Sequence, residues 1–570
     1  MNPPLVRAAA ALPVRLTGGP ELDPADLTPG GFAPRPRDRR EVELGRRLVR
    51  ENGRASLDLL RTARWSCVPF SLAGAVCCGL WGRDLYGPAG GLAALALWCL
   101  SPMVLGHGSL ITPDVPAAAL GAGFVYAFRG WLRAPAWSRT LWPGLLCGLA
   151  VSAKATWLAL APPVAVALWL LWRAGRTTRS GAAREAAQLL AVGALALGVL
   201  HACYGFRHPL PRLGDPEFVS ETLAGPADAR GPGGTGNRFR GGPAEDLPVP
   251  LPRTLLEGLD VQRADFGRAR TDPAWEGYLL GEFDAEGWWY FYLAAMLFKT
   301  PAGAFVLVGA AAWARLRGRG PAWREEAALL VPAAAVLLLV SSQTGLSLHL
   351  RYALPAYPFL FVWAAGGTAA AAGRAARTAA AAGLLALAGA SLWAHPHHLG
   401  FFNPLARAAG GGDGVLLDSN LDWGQDLPFL ADWLEDNPQA AGLRLAYFGG
   451  VAPEWLGWRY ELPPALPADH ADRPAVARPF LGPRPGWYAV SVTFVRGRPM
   501  PAPDGRGRFY AVPADAYAYF GRLTPHARPA PSIFVYRLTP ERTDRLRADL
   551  GLPPWGDRPD HATTADRTAP

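Results

Sequence analysis

Between residues 63 and 394 the chain alternates apolar runs with short arginine-rich loops, and this alternation constrains the fold more than any other feature. Runs approaching the roughly 20 apolar residues that cross a bilayer fall at about 63–82, 88–106, 115–131, 141–153, 155–172, 187–205, 287–313, 325–341, 352–371 and 377–394. Leu141–Trp172 is too long for one straight crossing, and Lys154 and the Pro162-Pro163 pair interrupt it. Arginine placement decides how it is read. Arg129, Arg133 and Arg139 precede it, and Arg173, Arg176, Arg179 and Arg184 follow it. Both groups lie on the cytoplasmic side only if the stretch crosses twice. The same topology puts Arg315, Arg317, Arg319, Arg324, Arg374 and Arg377 inside, and leaves the arginines before the first run as the exception. The expectation is about ten spans.

Composition narrows the class further. Half of the 570 residues are hydrophobic, yet mean hydropathy is only +0.10, which fits a helical membrane part joined to a sizeable water-soluble part. The net charge of +10 is explained by the loop arginines. No basic stripe interleaved with aromatics is present, so nucleic acid is not an expected partner. Cys67, Cys77, Cys78, Cys99, Cys147 and Cys203 all lie in apolar runs, with neither a disulfide framework nor a CxxC spacing. Met1–Leu16 is broken by prolines and lacks the long apolar core of a signal peptide; a small interfacial helix suits it better.

The expected organisation has four parts. Residues 1–62 form an extracytoplasmic interfacial segment, with a helix over Asp38–Arg64. Residues 63–394 form the membrane domain, with a long outer loop at about 206–286 whose Gly/Pro-rich tract Gly225–Pro252 reads as unstructured. Residues 395–545 form a small extracytoplasmic α/β domain, with strands at Gly414–Leu417, Leu443–Phe448, Trp487–Val495 and Ile533–Tyr536 and a helix at Leu427–Leu434. Residues 546–570 read as a disordered tail. The fold class is therefore a multi-pass α-helical membrane protein with a small C-terminal α/β extramembrane domain.

Three charged residues meet on the outer side in this topology. Asp114 ends the polar loop Gly106–Asp114, which also carries His107; a carboxylate there can hold a hydroxyl or simply start the next helix. Lys154 and Arg351 can neutralise a phosphate at the membrane surface. The bland alternatives are snorkelling for Lys154 and capping or headgroup contact for Arg351. Lys299, inside another apolar run, is either snorkelling or functional. Glu282 lies just before the aromatic cluster Trp288-Trp289-Tyr290, which reads as an interface belt. In Asp418-Ser-Asn-Leu-Asp-Trp-Gly-Gln-Asp426, the residues Asp418, Asn420, Asp422, Gln425 and Asp426 suit either a cation or sugar site, or a turn held by its own hydrogen bonds. The turn is the favoured reading over a metal site. These residues establish no cofactor, and a divalent cation is left open.

These stretches form an ordered set: Gly106–Asp114, Gly148–Lys154, Gly281–Tyr290 with Lys299-Thr-Pro301, His349–Pro355, His395–Asn403 and Asp418–Asp426. The set, spread over about residues 1–540, resembles the polyprenyl-phosphate-sugar glycosyltransferases of the GT-C superfamily: the protein O-mannosyltransferase and aminoarabinose-transferase relatives of glycosyltransferase family 39. The resemblance implies a GT-C fold in the inner (plasma) membrane. It implies inverting transfer of a sugar from a polyprenyl-phosphate carrier to an outer acceptor, a protein hydroxyl or a lipid or glycan. It makes Asp114 the second acid and assigns the general base to an acidic loop after a first span. Nothing before Asn2-Pro3-Pro4-Leu5 matches that span or loop, and the expectation is that this chain lacks both. A non-catalytic relative that binds the lipid carrier is the alternative. A transporter is disfavoured because no internal repeat is visible. A topology reporter fused after residue 410 is expected to be active only outside the cytoplasm; activity inside would overturn the assignment.

Overall fold

Among the described residues, eleven α-helices precede the first paired strands, because apolar runs in a membrane must satisfy their own backbone groups. The computed structural model describes residues 3–19, 40–174, 181–207, 210–226, 230–231, 234–269, 271–346, 348–369, 373–466 and 481–555. Two compact units result. The first comprises residues 1–40, 57–278 and 282–409; the second comprises 41–56, 279–281 and 410–570.

The first unit holds α1 (Leu5–Leu16), α3 (Ala55–Arg64), α4 (Cys67–Cys99), α5 (Pro102–Gly108), α6 (Asp114–Arg133), α7 (Leu141–Ala153), α8 (Thr156–Ala174) and α9 (Ala182–Cys203), while α2 (Arg40–Asn52) belongs mainly to the second. It continues with α10 (Glu221–Ala224), α11 (Arg253–Ala269), α12 (Phe291–Lys299), α13 (Ala302–Leu316), α14 (Trp323–Ser341), α15 (Tyr357–Ala369), α16 (Arg374–Ala394) and α17 (Pro404–Ala408). Among the described residues, four helical stretches are long and apolar enough to cross a membrane: Ala55–Cys99, Thr156–Ala174, Ala182–Cys203 and Arg374–Ala394. The pair α12 and α13, bent by 112°, makes a fifth when taken as one span. This is a multi-pass helical membrane fold, although fewer helices meet the length and hydropathy requirement than the ten runs expected. The other runs are shorter or less apolar helices.

The breaks between helices explain the differences. Gly87 has φ of 74°, a conformation open to glycine, and with Pro88 it divides α4 where two runs were expected. The second of those runs ends at Cys99 instead of continuing to residue 106, and Ser101, extended before Pro102, starts the separate α5. The apolar stretch after Thr140 breaks at Lys154, whose backbone is extended, and α8 runs straight through Pro162 and Pro163. An extended residue ends α7, while two prolines inside α8 do not end it. Asp38–Arg64 forms two helices, because Gly53 at φ of 51° separates α2 from α3.

The outer loop is more ordered than its composition suggests. Phe218 and Gly236 exchange backbone hydrogen bonds of 2.8 and 2.9 Å, and the Asn237 amide donates to the Leu213 and Pro216 carbonyls at 2.9 Å each. The expectation of an unstructured Gly225–Pro252 is thus corrected among the described residues, since backbone and amide bonds replace the missing apolar side chains. The following α11 was not anticipated at all. Two short strands, β1 (Gly277–Leu279) and β2 (Glu282–Asp284), come before α12.

The second unit contains α18 (Gly412–Val415), α19 (Leu427–Asp436), β3 (Arg444–Ala446), β4 (Gly486–Ser491), α20 (Val492–Val495), β5 (Pro501–Pro503), β6 (Phe509–Ala511), β7 (Ala527–Ala530), β8 (Ile533–Leu538) and α21 (Pro540–Asp549). Its main sheet has the order β3-β4-β8-β7, with β3 parallel to β4 and the other pairs antiparallel. Burial of Tyr488, Ala489, Val490, Val535 and Tyr536 forms its core. Two expected strands are corrected. Gly414–Leu417 begins as a helical turn, and Val492–Val495 leaves the sheet as α20. Order also extends beyond residue 545: Leu546, Arg547 and Leu552 are buried, and Arg547 donates to the carbonyls of Leu481, Pro483 and Pro553 at 2.7, 3.0 and 2.6 Å. The rest of the expected tail, 556–570, lies outside the described residues.

Inside the first unit α6 packs against α4 and α7. Its register with α8 depends on one close contact. A Cβ at Gly121 would overlap the Trp157 ring, and Trp157 Nε1 donates to the Ala117 carbonyl at 2.8 Å. Gly121→Val is expected to destabilise the protein by about 1–3 kcal/mol through overpacking. Thermal unfolding in detergent checks this; an unchanged midpoint would show that the ring moves aside freely.

Candidate functional site

The loop between α5 and α6 and the break between α7 and α8 come together at one point. Pro113 precedes the first turn of α6, and the Asp114 side chain makes no capping bond. It accepts a hydrogen bond from Lys154 Nζ at 2.7 Å instead. The helix-start reading of Asp114 is therefore insufficient on its own, although a carboxylate in a first turn also gains from the helix dipole. Asp114 is 2% exposed and Lys154 12% exposed, so the pair is largely withdrawn from water. Lys154 does not snorkel. Trp157, anchored on α6 three residues later in the chain, holds it beside the acid.

Arg351 arrives from the turn Leu350–Ala356. Its Nε lies 4.0 Å from Asp114 Oδ2, and its side chain is 15% exposed. The neighbouring Tyr352 ring stands 4.9 Å from Lys154 Nζ and 5.5 Å from the Arg351 guanidinium carbon, which stabilises both cations. His349 packs edge-on against Tyr352 at 5.3 Å. His107 is buried on α5, within electrostatic reach of Asp114, Arg351, Lys299 and His349. Sequence reasoning named Asp114, Lys154, Arg351 and His107, and all four meet here. It missed Tyr352 and Tyr292, which line the site; the aromatic immediately after Arg351 was the available signal.

Lys154, Tyr292 and Tyr352 line a cavity of about 210 Å³ together with Gln262, Phe266 and Gln343. A larger cavity of about 590 Å³ shares Leu259, Gln262, Phe266 and Gln343 with it, and adds Ser220, Arg230 and Arg263. The two adjoin along α11, the helix that the sequence reading did not foresee.

Other sequence candidates lie elsewhere. Lys299 is buried in the protein interior, donating to the Leu399 carbonyl at 2.7 Å with its ammonium 4.2 Å from the Phe402 ring. Glu282 is exposed in β2. Asp418, Asn420, Asp422, Gln425 and Asp426 belong to the second unit. There the turn satisfies much of its own hydrogen bonding. Asp418 accepts from the Ser419 amide, Asn420 donates to the Leu417 carbonyl at 2.8 Å, and Gln425 both accepts from the Trp423 amide at 2.6 Å and donates to the Leu421 carbonyl at 3.1 Å. Asp422 accepts from the Gly424 amide at 2.9 Å, and Asp426 accepts from the amide and hydroxyl of Ser532 at 3.0 and 2.8 Å. Among the described residues no group of three or more His, Cys, Asp or Glu side chains could hold a metal ion.

Two solved structures are similar to this chain. The crystal structure of ArnT from Cupriavidus metallidurans bound to undecaprenyl phosphate is 13% identical, with 94% of this chain and 87% of that chain covered at a TM-score of 0.40. The same protein in the apo state is 14% identical, with 83% of each chain covered at a TM-score of 0.37. No protein-family model matches, and no curated protein matches.

Asp422 is the group in the second unit with the clearest electrostatic consequence. Burial pushes its carboxyl well above the ordinary carboxylate range, the Gly424 amide opposes this, and the Asp426 charge adds to it. The folded state then binds a proton that the unfolded state releases, so stability falls as pH rises from about 4 toward the raised folded value. Asp422→Asn removes that penalty. The variant is expected to be the more stable form at pH 8 by about 1 kcal/mol or more, with the difference shrinking toward pH 4. Unfolding curves at both pH values check this; a difference that does not depend on pH would overturn it.

Proposed function

We propose that this chain is a membrane glycosyltransferase of the GT-C type that takes its sugar from a polyprenyl-phosphate carrier. The observation that carries the reading is the buried meeting of Asp114, Lys154 and Arg351 beside a cavity. The ordered motif set and its resemblance to family 39 support the same reading. In such a transfer the acceptor oxygen attacks the anomeric carbon from the face opposite the phosphate, a hydroxyl acceptor gives its proton to the general base that the resemblance assigns to an acidic loop outside this cluster, the carbon–oxygen bond to phosphate breaks, and the configuration inverts. Negative charge grows on the departing lipid phosphate. Lys154 and Arg351 are the groups proposed to meet it, because charge-assisted donors already fixed in a dry site favour the transition state. Asp114 orients those cations or the acceptor hydroxyl. It holds a Lys154 hydrogen bond and is not the proposed proton acceptor.

Undecaprenyl phosphate is the ligand in one ArnT crystal structure. For this chain the carrier is proposed from its own cations and motifs. The acceptor is a protein hydroxyl or a lipid or glycan on the outer face of the inner membrane, where the C-terminal unit is proposed to lie.

The test is a binding comparison in detergent between a polyprenyl phosphate and the corresponding uncharged polyprenol. The intact protein is expected to prefer the phosphate by about tenfold or more, in keeping with one charged hydrogen bond of about 1.5–3 kcal/mol. Arg351→Gln and Lys154→Met should remove most of that preference, and sugar transfer should fall with it. Lys154→Met also strands a buried carboxylate, so it should destabilise the fold as well. Arg351, at 4.0 Å, is the cleaner probe. Equal affinity of the intact protein for the two lipids would overturn the donor reading.

A further inference from the structure

A second concavity lies on the opposite half of α6. A groove of about 710 Å³ runs between α4, α6 and α7, lined by Val76, Leu80, Gly123, Ala127, Gly130 and Leu146 among others. Its lining is almost wholly apolar, and the Tyr126 hydroxyl already donates to Asp84 Oδ2 at 2.8 Å. The groove opens outward: Val76 is 56% exposed and Leu80 45%. Both belong to the stretch Ala55–Cys99, one of the candidate spans, so the medium beside this face is lipid.

The two glycines make the space. A Cβ at Gly130 would meet nothing within 4 Å, and one at Gly123 would touch only Leu146, at 3.5 Å. Along α6 the groove extends from Ala119 to Trp131, a rise of about 18 Å at 1.5 Å per residue. That is somewhat more than half of a hydrocarbon core about 30 Å thick. All twenty residues of α6 rise about 30 Å, so Asp114 and the arginine end lie about one hydrocarbon-core thickness apart along the helix.

Arg139 lines the groove at its end beside the α6 C-terminus. It is exposed, and its described hydrogen bonds are long ones from Nη1 to the Gly130 and Ala134 carbonyls, at 3.3 and 3.5 Å. No described hydrogen bond engages Nε or Nη2, which leaves donors in a geometry suited to a phosphate. Trp137 and Trp142, 50% and 60% exposed, flank it as interface aromatics do.

We propose that this groove is a binding site for an anionic glycerophospholipid from the leaflet at the arginine end of α6, with one acyl chain against Gly123 and Gly130 and its phosphate on Arg139. Apolar lining alone would accept any chain; the guanidinium at its mouth selects the headgroup. The site is separate from the Asp114 cluster and does not depend on transferase activity.

The test is native mass spectrometry of the full chain released from nanodiscs of equal phosphatidylglycerol and phosphatidylcholine. The intact protein is expected to retain phosphatidylglycerol over phosphatidylcholine by about fivefold or more. Arg139→Gln should bring that ratio close to one while some lipid is still held. Gly130→Leu should reduce retention of both lipids severalfold; it enters open space on a helix that leucine favours over glycine, so folding should survive. Arg374→Gln, an exposed arginine at the start of α16, should leave the ratio unchanged. Equal retention of the two lipids by the intact protein, an Arg139→Gln ratio like that of the intact protein, or retention unaffected by Gly130→Leu would each overturn the proposal. So would displacement of the phosphatidylglycerol by an equimolar polyprenyl phosphate, which would make the groove a carrier site.

Discussion

A carboxylate that is 2% exposed must be compensated where it lies, and the first unit is arranged around that requirement. Asp114 has its partner at 2.7 Å only because α7 stops at Ala153 and Lys154 adopts an extended backbone. That break is held by Trp157, whose indole bonds to α6 and whose ring occupies the space left by Gly121. Removing any one partner would leave a buried charge, and such losses typically cost about 3–5 kcal/mol. A pair of this kind is weak evidence for stability when compared with an apolar replacement. Its value is positional: it fixes a lysine, a carboxylate and, through the turn at Leu350–Ala356, an arginine beside one cavity.

The far end of α6 carries a second polar assembly. Arg129, 1% exposed, bonds to Glu325 on α14 and lies 3.4 Å from Asp84 on α4. Arg133 meets the other Glu325 oxygen at 2.8 Å, while Arg315 joins Glu326 and the Tyr86 hydroxyl. Four helices are thereby tied at the end opposite Asp114. Arginines that read in sequence as topology markers are, in the fold, also cross-links. The two roles are compatible, because a guanidinium near the membrane surface can satisfy the charge rule with one face and bond to carboxylates with its remaining donors.

The second unit holds the polar motif Asp418–Asp426, for which the sequence favoured a turn over a metal site. Three aspartates in Asp418–Asp426 invite a cation. In the fold they serve a turn: Gly424, at φ of 75°, lets the chain pass so close to Tyr447 that any Cβ there would overlap its hydroxyl, and that hydroxyl donates to the Gly424 carbonyl at 2.7 Å. Asp426 joins the segment to the turn between β7 and β8. What remains unusual is Asp422, buried beside a second carboxylate and held toward its neutral form.

The apolar runs determined by themselves that the chain forms a helical membrane fold, because a run of that length has few other ways to satisfy its backbone in lipid. Alternation in the last third was enough for a small α/β unit. Lys154 stood out as a charge interrupting an apolar stretch, which is costly without a purpose, and Asp114 and Arg351 as charges at the loop ends of apolar runs on the same side of the expected topology. Tertiary structure alone decided the rest. Whether Lys154 reached for water or for Asp114 depended on a helix break and on a Trp157 contact with residues some forty positions earlier, at Ala117 and Gly121. Likewise, α11 carries the wall shared by two cavities, yet in a Gly/Pro-rich neighbourhood its local pattern was too weak to announce a helix. Partners distant along the chain set these outcomes, and local periodicity carries no information about which distant partner a side chain will meet.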